Sequence, residues 1–368
     1  MDPLALREEI PVLDEVTYLN TGAASPAPRS VVDAAIEEIE RQQYVAPGGE
    51  GAYPALFGCF EDTRERVADF LGADTDEIAL TNSTADGINR IATALPWQEG
   101  DVVVRTDCEH SAGILPWKRL RDRHGIEVRV LETDAGRIDR EQATEMLSGA
   151  DLLCLSSITW NYGTRLPIAD LTDIAHDAGA RVLVDAVQSP GQVDVDVNEW
   201  GADFAVGAGH KWLCGPWGAG FLYVDDEATA ALDPDRVGYR SVTDPNADDY
   251  AFAAGAKRLE VGTTSPAPYA GLQAAIEMME SIGIDTIEER IERLTDRLKA
   301  GIDDDRLLSP REYESGLVTV AADDPEATVS RLSDEGIVIR SLPSPAAVRV
   351  SVHAFNTDED IDALRGAL

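Results

Sequence analysis

The feature that most constrains this chain is a series of short apolar runs alternating with amphipathic helical stretches: EIALT (77–81), DVVVR (101–105), EVRVL (127–131), DLLCLS (151–156), RVLVDA (181–186), DFAVG (203–207) and GFLYV (220–224). Runs so uniformly apolar belong to strands covered on both faces, and intervening helices supply the crossovers that parallel strands require. The rhythm therefore predicts an α/β fold built on a mostly parallel sheet with helices on both sides. Further on, 270–302 reads as long helix with a natural break at Gly283. It leads to GLVTVAA, GIVIRSL, AVRVSV and TDEDIDALRGAL, landmarks of a C-terminal unit of strand, helix, strand and helix. The expected division is a large domain over 15–265 and a smaller α+β domain formed by 1–14 and 266–368.

Charge narrows the partners. Against 68 Asp and Glu stand 31 Lys and Arg, a formal net charge of −37, so nucleic acid and anionic membranes would be repelled. Lysine occurs only at 118, 211, 257 and 299; this scarcity beside the acidic excess resembles proteins of salt-loving organisms. The stretch MDPLALREEIPVLDEV has neither a basic nor an apolar targeting segment, and no run of about 18 apolar residues occurs, so a soluble cytoplasmic protein is expected. Cys59, Cys108, Cys154 and Cys214 lack disulfide-framework or metal-ligand spacing, and no metal site is expected.

Ligands of open α/β sheets sit beyond the carboxyl ends of the strands, so polar residues terminating apolar runs are the candidates. Asp185 ends RVLVD, where an unpartnered carboxylate is costly to desolvate. Ser83 and Thr84 in LTNSTADGIN open a helix after a strand, an arrangement suited to an anion as well as to ordinary capping. His110 follows DVVVR and its loop. Lys211 lies in GHKWLCGPWG among glycines and apolar side chains, surroundings that lower an amine pKa and favour Schiff-base chemistry. An aldehyde for Lys211, a phosphate for the Ser83–Thr84 helix start, a pyridinium nitrogen for Asp185 and an aromatic face for His110 together describe pyridoxal phosphate (PLP).

The ordered motifs YLNTGAASP, TNSTADGIN, EHSAGILPW, VDAVQSPG, GHKWLCGPWG, RLEVGTTSP and RVSVHAFNTDEDIDAL resemble those of class V aminotransferases. That group includes cysteine desulfurases, selenocysteine lyase, isopenicillin N epimerase and kynureninase. The resemblance covers nearly the whole chain and implies the PLP-dependent transferase fold of type I. It also implies that Lys211 holds the cofactor aldehyde, Asp185 pairs with the pyridinium nitrogen, Gln188 bonds the ring oxygen and His110 stacks on the ring. Thr84 and His210 would hold the phosphate, with Ser83 compensating for the Ala208 that replaces a serine in many relatives. Thr263, in E-V-G-T, would reach the cofactor of a second subunit, implying a homodimer with shared sites. Arg349 matches the arginine that pairs with the substrate α-carboxylate, and Arg340 is a second candidate. Asn20 to Ala23, Tyr239 and Arg240 are candidates for pocket lining.

Departures from the pattern bear on the reaction. Trp160 stands where relatives often carry asparagine, and is expected to pack. The nucleophilic cysteine of desulfurases lies between the segments matching Arg340 and Arg349; here only SLPSPAAV separates them, with no cysteine. The expected activity is thus Cα deprotonation of an amino acid by a lyase of the C–S or β-elimination type, or by an aminotransferase. The alternatives are a desulfurase using Cys214 or Cys108, and a non-catalytic partner protein that keeps the fold.

Overall fold

The computed structural model describes residues 2–368. Twelve strands form three sheets: β1 (Thr17–Tyr18), β2 (Ile78–Thr81), β3 (Val102–Thr106), β4 (Glu127–Leu131), β5 (Leu152–Ser156), β6 (Arg181–Asp185), β7 (Phe204–Ala208), β8 (Gly220–Val224), β9 (Leu317–Ala321), β10 (Ile337–Val338), β11 (Arg340–Leu342) and β12 (Ala347–Ser351). All seven apolar runs are strands of the largest sheet, ordered β2-β8-β7-β6-β5-β3-β4. β3 to β7 and their neighbour β4 pair in parallel, whereas β8 runs antiparallel to both β2 and β7.

Alternation along these strands explains their composition. Val182 and Val184 of β6 point into one core layer and Leu183 into the other; Phe221 and Tyr223 of β8 are likewise separated from Leu222 and Val224. Each such side chain contributes roughly 1.5–3 kcal/mol by leaving water, so neither face tolerates a polar period. The strand order reverses at β3: β4 lies outside it, while β5, β6 and β7 build away on the other side. A crevice at this switch is where an α/β sheet receives a ligand.

The predicted helix over 270–302 is two helices, Ala267–Ile282 and Ile284–Lys299, meeting at Gly283 with φ +90°. Only glycine adopts that angle readily. In the second helix Ile287, Ile291, Leu294 and Leu298 recur at helical spacing and are buried. Leu294 and Leu298 pack with Val318, Val320, Val348 and Val350 of the antiparallel sheet β11-β12-β9. The N-terminal chain joins this unit through parallel pairing of β1 with β10 and the Asn20–Ser351 bridge, so its contacts run past residue 14 to residue 20. Among the described residues no helix is long and apolar enough to cross a membrane, and no cluster of His, Cys, Asp and Glu is fit for a metal.

Candidate active site

A cleft of about 290 Å³ opens beyond the carboxyl ends of the parallel strands. It gathers Lys211, Asp185, His110, Ser83, Thr84, Gln188, His210, Arg340, Arg349 and Ala23, residues scattered over more than 300 positions of sequence.

Asp185 is the last residue of β6 and is 3 % exposed. It accepts the Val187 N–H at 3.1 Å but has no ion-pair partner in contact. Burial raises its pKa, against the opposing pull of Lys211. Lys211 follows β7 in a tight double turn, closed by Cys214 N–H to Lys211 O at 3.0 Å and Gly215 N–H to Gly209 O at 2.8 Å. The backbone of this turn presses on Gly191, where a Cβ would come within 2.5 Å of the Trp212 carbonyl. Burial lowers the lysine pKa to about 8, opposed by Asp185 and aided by Arg349 and Arg340. Far more of the amine is therefore unprotonated near neutrality than in an ordinary lysine.

The helix Thr84–Ala94 begins at the cleft, with Ser83 as N-cap accepting the Asp86 N–H at 3.2 Å. The Thr84 hydroxyl is buried without a partner beside this electropositive end. His210 stacks on Trp217 at 4.1 Å, and burial, reinforced by Lys211, lowers its pKa to about 4, so its ring is neutral. His110 accepts the Ala112 N–H on Nδ1 at 3.3 Å and meets Trp160 edge-on at 5.5 Å.

On the opposite wall Arg340 and Arg349 face each other directly across the antiparallel pair β11–β12. Like charges placed so repel, and among the described residues no carboxylate forms an ion pair with either. Arg349 is 1 % exposed; one arm donates to the Trp160 carbonyl at 2.8 Å, while Nε and Nη2 are buried without partners. Burial, reinforced by Arg340, lowers its pKa to about 9. An unpaired buried guanidinium is expensive unless an anion completes it. A donor-rich helix start, a buried carboxylate, an amine of lowered pKa and two unpaired guanidiniums fit a phosphorylated pyridine aldehyde with an amino-acid carboxylate beside it.

Several sequence expectations are corrected. Asn20 is outside the cleft, held behind it by the Asn20–Ser351 bridge, although neighbouring Gly22 and Ala23 line it. Arg240 does not line this cleft: it is 6 % exposed, bound to Glu260 at 2.6 Å and set over the Phe57 and Phe60 rings. Tyr239 also lies away from the cleft, exposed, with its hydroxyl 2.9 Å from that of Thr263, a residue expected to reach a second subunit's cofactor rather than this cleft. Neither Cys214 nor Cys108 enters the cleft. Burial pushes both thiols up to about 12, the first lying 3.2 Å from the Ser25 hydroxyl and the second 3.1 Å from that of Thr133. Trp160 forms cleft wall, packed on His110.

Sequence reasoning missed Glu109, Ser156 and Trp217. Glu109, behind His110, accepts the Thr106 hydroxyl at 2.7 Å and the Ser156 hydroxyl at 2.7 Å, and burial raises its pKa to about 7. Its signal was a carboxylate beside a candidate histidine, which reads as surface until the strand order is known.

With this geometry in place, the chain can be compared with known proteins. The family model described as "Aminotransferase class-V" matches residues 17–364. The chain is 34 % identical to a probable cysteine desulfurase of Methanothermobacter thermautotrophicus, over 98 % of this chain and 95 % of that protein. An apo cysteine desulfurase from Thermococcus onnurineus NA1 superposes with a TM-score of 0.92 at 31 % identity, covering 100 % of this chain and 97 % of that one. The cystine C–S lyase C-DES, in complex with its product cysteine persulfide, superposes with a TM-score of 0.91 at 28 % identity, covering 97 % and 98 %. A C-DES mutant, at a TM-score of 0.92 and 27 % identity, carries glycine covalently linked to its PLP cofactor; coverage is 98 % of each chain. The chain belongs to the class-V aminotransferase family.

Proposed function

We propose that this chain is a PLP-dependent C–S lyase that eliminates a persulfide from a cystine-like disulfide amino acid. The observation that carries this reading is the hairpin linking Arg340 to Arg349. The two arginines are register partners, so residues 343–346 form only a turn, with no loop long enough to bring a cysteine to the cleft. All four cysteines are buried elsewhere. Sulfur must then leave on the product rather than on the enzyme.

In this reading Lys211 binds the cofactor aldehyde and Asp185 holds a proton on the pyridine nitrogen. Gln188 bonds the ring oxygen, His110 covers the ring, and Ser83, Thr84 and His210 receive the phosphate. Arg349 takes the α-carboxylate through Nε and Nη2, and Arg340 takes the second carboxylate of a disulfide-linked substrate. Bound PLP supplies an electron sink conjugated to Cα, which no side chain here provides. Lys211, displaced by the substrate amine, removes the Cα proton. The Cβ–S bond then breaks with its electron pair leaving on sulfur, so that cystine and water yield pyruvate, ammonia and cysteine persulfide. Residues 15–265 carry the cofactor in this account; residues 1–14 and 266–368 carry the arginines. The enzyme acts in the cytoplasm.

The test is product analysis with reconstituted enzyme. Cystine should give pyruvate and ammonia in equal amounts, with sulfide appearing after thiol is added, and cysteine should give no alanine. Alanine from cysteine, together with a persulfide on Cys214 or Cys108, would contradict the reading and favour a desulfurase.

Only the unprotonated amine attacks an aldehyde, so capture of PLP by cofactor-free protein should accelerate as pH rises through about 8. Arg349→Met removes a cation that depresses the lysine and should move this rise to higher pH. A shift to lower pH in stopped-flow absorbance would refute the electrostatic account.

The exposed Thr263 supports a homodimer in which it reaches the neighbouring phosphate, and the acidic surface supports a salt-adapted protein. Sedimentation and thermal melts across a KCl series should give a dimer whose Tm rises with salt. A fully active monomer, or a Tm that falls with salt, would oppose these readings.

A further inference from the structure

Trp212 follows Lys211 directly and is 0 % exposed, yet it has no place in the chemistry above. Its indole Nε1–H donates to Gln188 Oε1 at 2.7 Å. The other end of that amide, Nε2, donates to the Gly22 carbonyl at 3.0 Å. Indole N–H is only a donor and a backbone carbonyl only an acceptor, so the two partners agree on one orientation of the amide. Oxygen points to Trp212. The NH2 group points to Gly22, leaving its second N–H for the cleft that Gln188 lines.

Trp212 is itself held firmly. Its carbonyl accepts the His353 Nε2–H at 2.9 Å, and its ring lies nearly parallel to the imidazole, 5.9 Å away. On another side the ring packs against Gly316, where a Cβ would approach to 2.8 Å. Gln188 is fixed too, through the turn closed by Ser189 N–H to Ala186 O at 2.7 Å. No rearrangement of one partner alone would satisfy the other.

We propose that Trp212 is a positioning residue that locks the Gln188 amide with its NH2 group toward the cofactor ring oxygen. This rests on the PLP reading and on Gln188 as the ring-oxygen partner. A donor there stabilises the anionic oxygen; a flipped amide would present a second acceptor and repel it. Without the indole N–H, Gln188 Oε1 loses its buried partner and the amide can turn. Trp212 adjoins Lys211 in the same turn, so the side chain that sets the polarity of the group facing the ring follows the lysine directly.

The test uses Trp212→Phe, which keeps an aromatic ring and removes the donor. Wild type and variant should both take up PLP stoichiometrically. The pH at which the visible band of bound PLP converts should rise in the variant by about one unit, a roughly tenfold change in proton affinity. Combining it with Gln188→Ala should abolish the difference, because the indole acts through that amide. An unchanged transition in Trp212→Phe, or a shift that persists in the Gln188→Ala background, overturns the proposal. Should Trp212→Phe fail to fold, the indole proton of residue 212 in the wild type gives the answer. It should exchange slowly by NMR and lose protection in Gln188→Ala, and fast exchange in wild type overturns the proposal. A wild type that takes up no PLP overturns the functional reading itself, and this inference with it.

Discussion

The structure depends on charges held close without being paired. Asp185 ends β6 and Lys211 follows its neighbour β7, so the sheet brings a carboxylate and an amine to one mouth, yet no salt bridge joins them. Across the cleft the Arg349 guanidinium is buried with two free nitrogens. Each charge is costly to bury alone and favours a ligand with an aldehyde, a ring nitrogen and carboxylates. The large buried sheet meets that cost, since layers on both faces bind the strands whose ends hold these groups.

In the proposed function the C-terminal sheet selects among the family's reactions. Because β11 and β12 pair through Arg340 and Arg349 themselves, the hairpin brings two cations and no sulfur nucleophile to the cleft. The Trp160 carbonyl fixes one guanidinium arm while its ring stands against His110. One residue thus fixes the buried guanidinium and packs on His110. His353, four residues after Arg349, bonds the carbonyl next to Lys211, tying the arginine strand to the lysine turn.

Strand positions were legible because a strand buried on both faces cannot hide its composition, and Lys211, Asp185, Ser83 and Thr84 were legible because each terminates or follows such a run. Strand direction was not: β8 reads like its parallel neighbours, as an apolar run carries no polarity. Cysteines near site motifs could be read as core residues or as nucleophiles, since spacing says nothing of which way a side chain points; Cys214 turns back toward Ser25 and His353. Arg240 resembled pocket lining because its partners, Glu260 and the rings of Phe57 and Phe60, are distant or unremarkable in sequence. The spacing of Arg340 and Arg349 showed a short loop, but their direct pairing required the register.

The proposed chemistry rests on a covalent link between the amine at position 211 and PLP at the end of β7. Borohydride reduction of the reconstituted protein, followed by digestion and mass spectrometry, tests it most directly. A pyridoxyl tag is expected on the peptide containing GHKWLCGPWG and nowhere else. A tag on Lys118, Lys257 or Lys299, or no tag with PLP in excess, would contradict it.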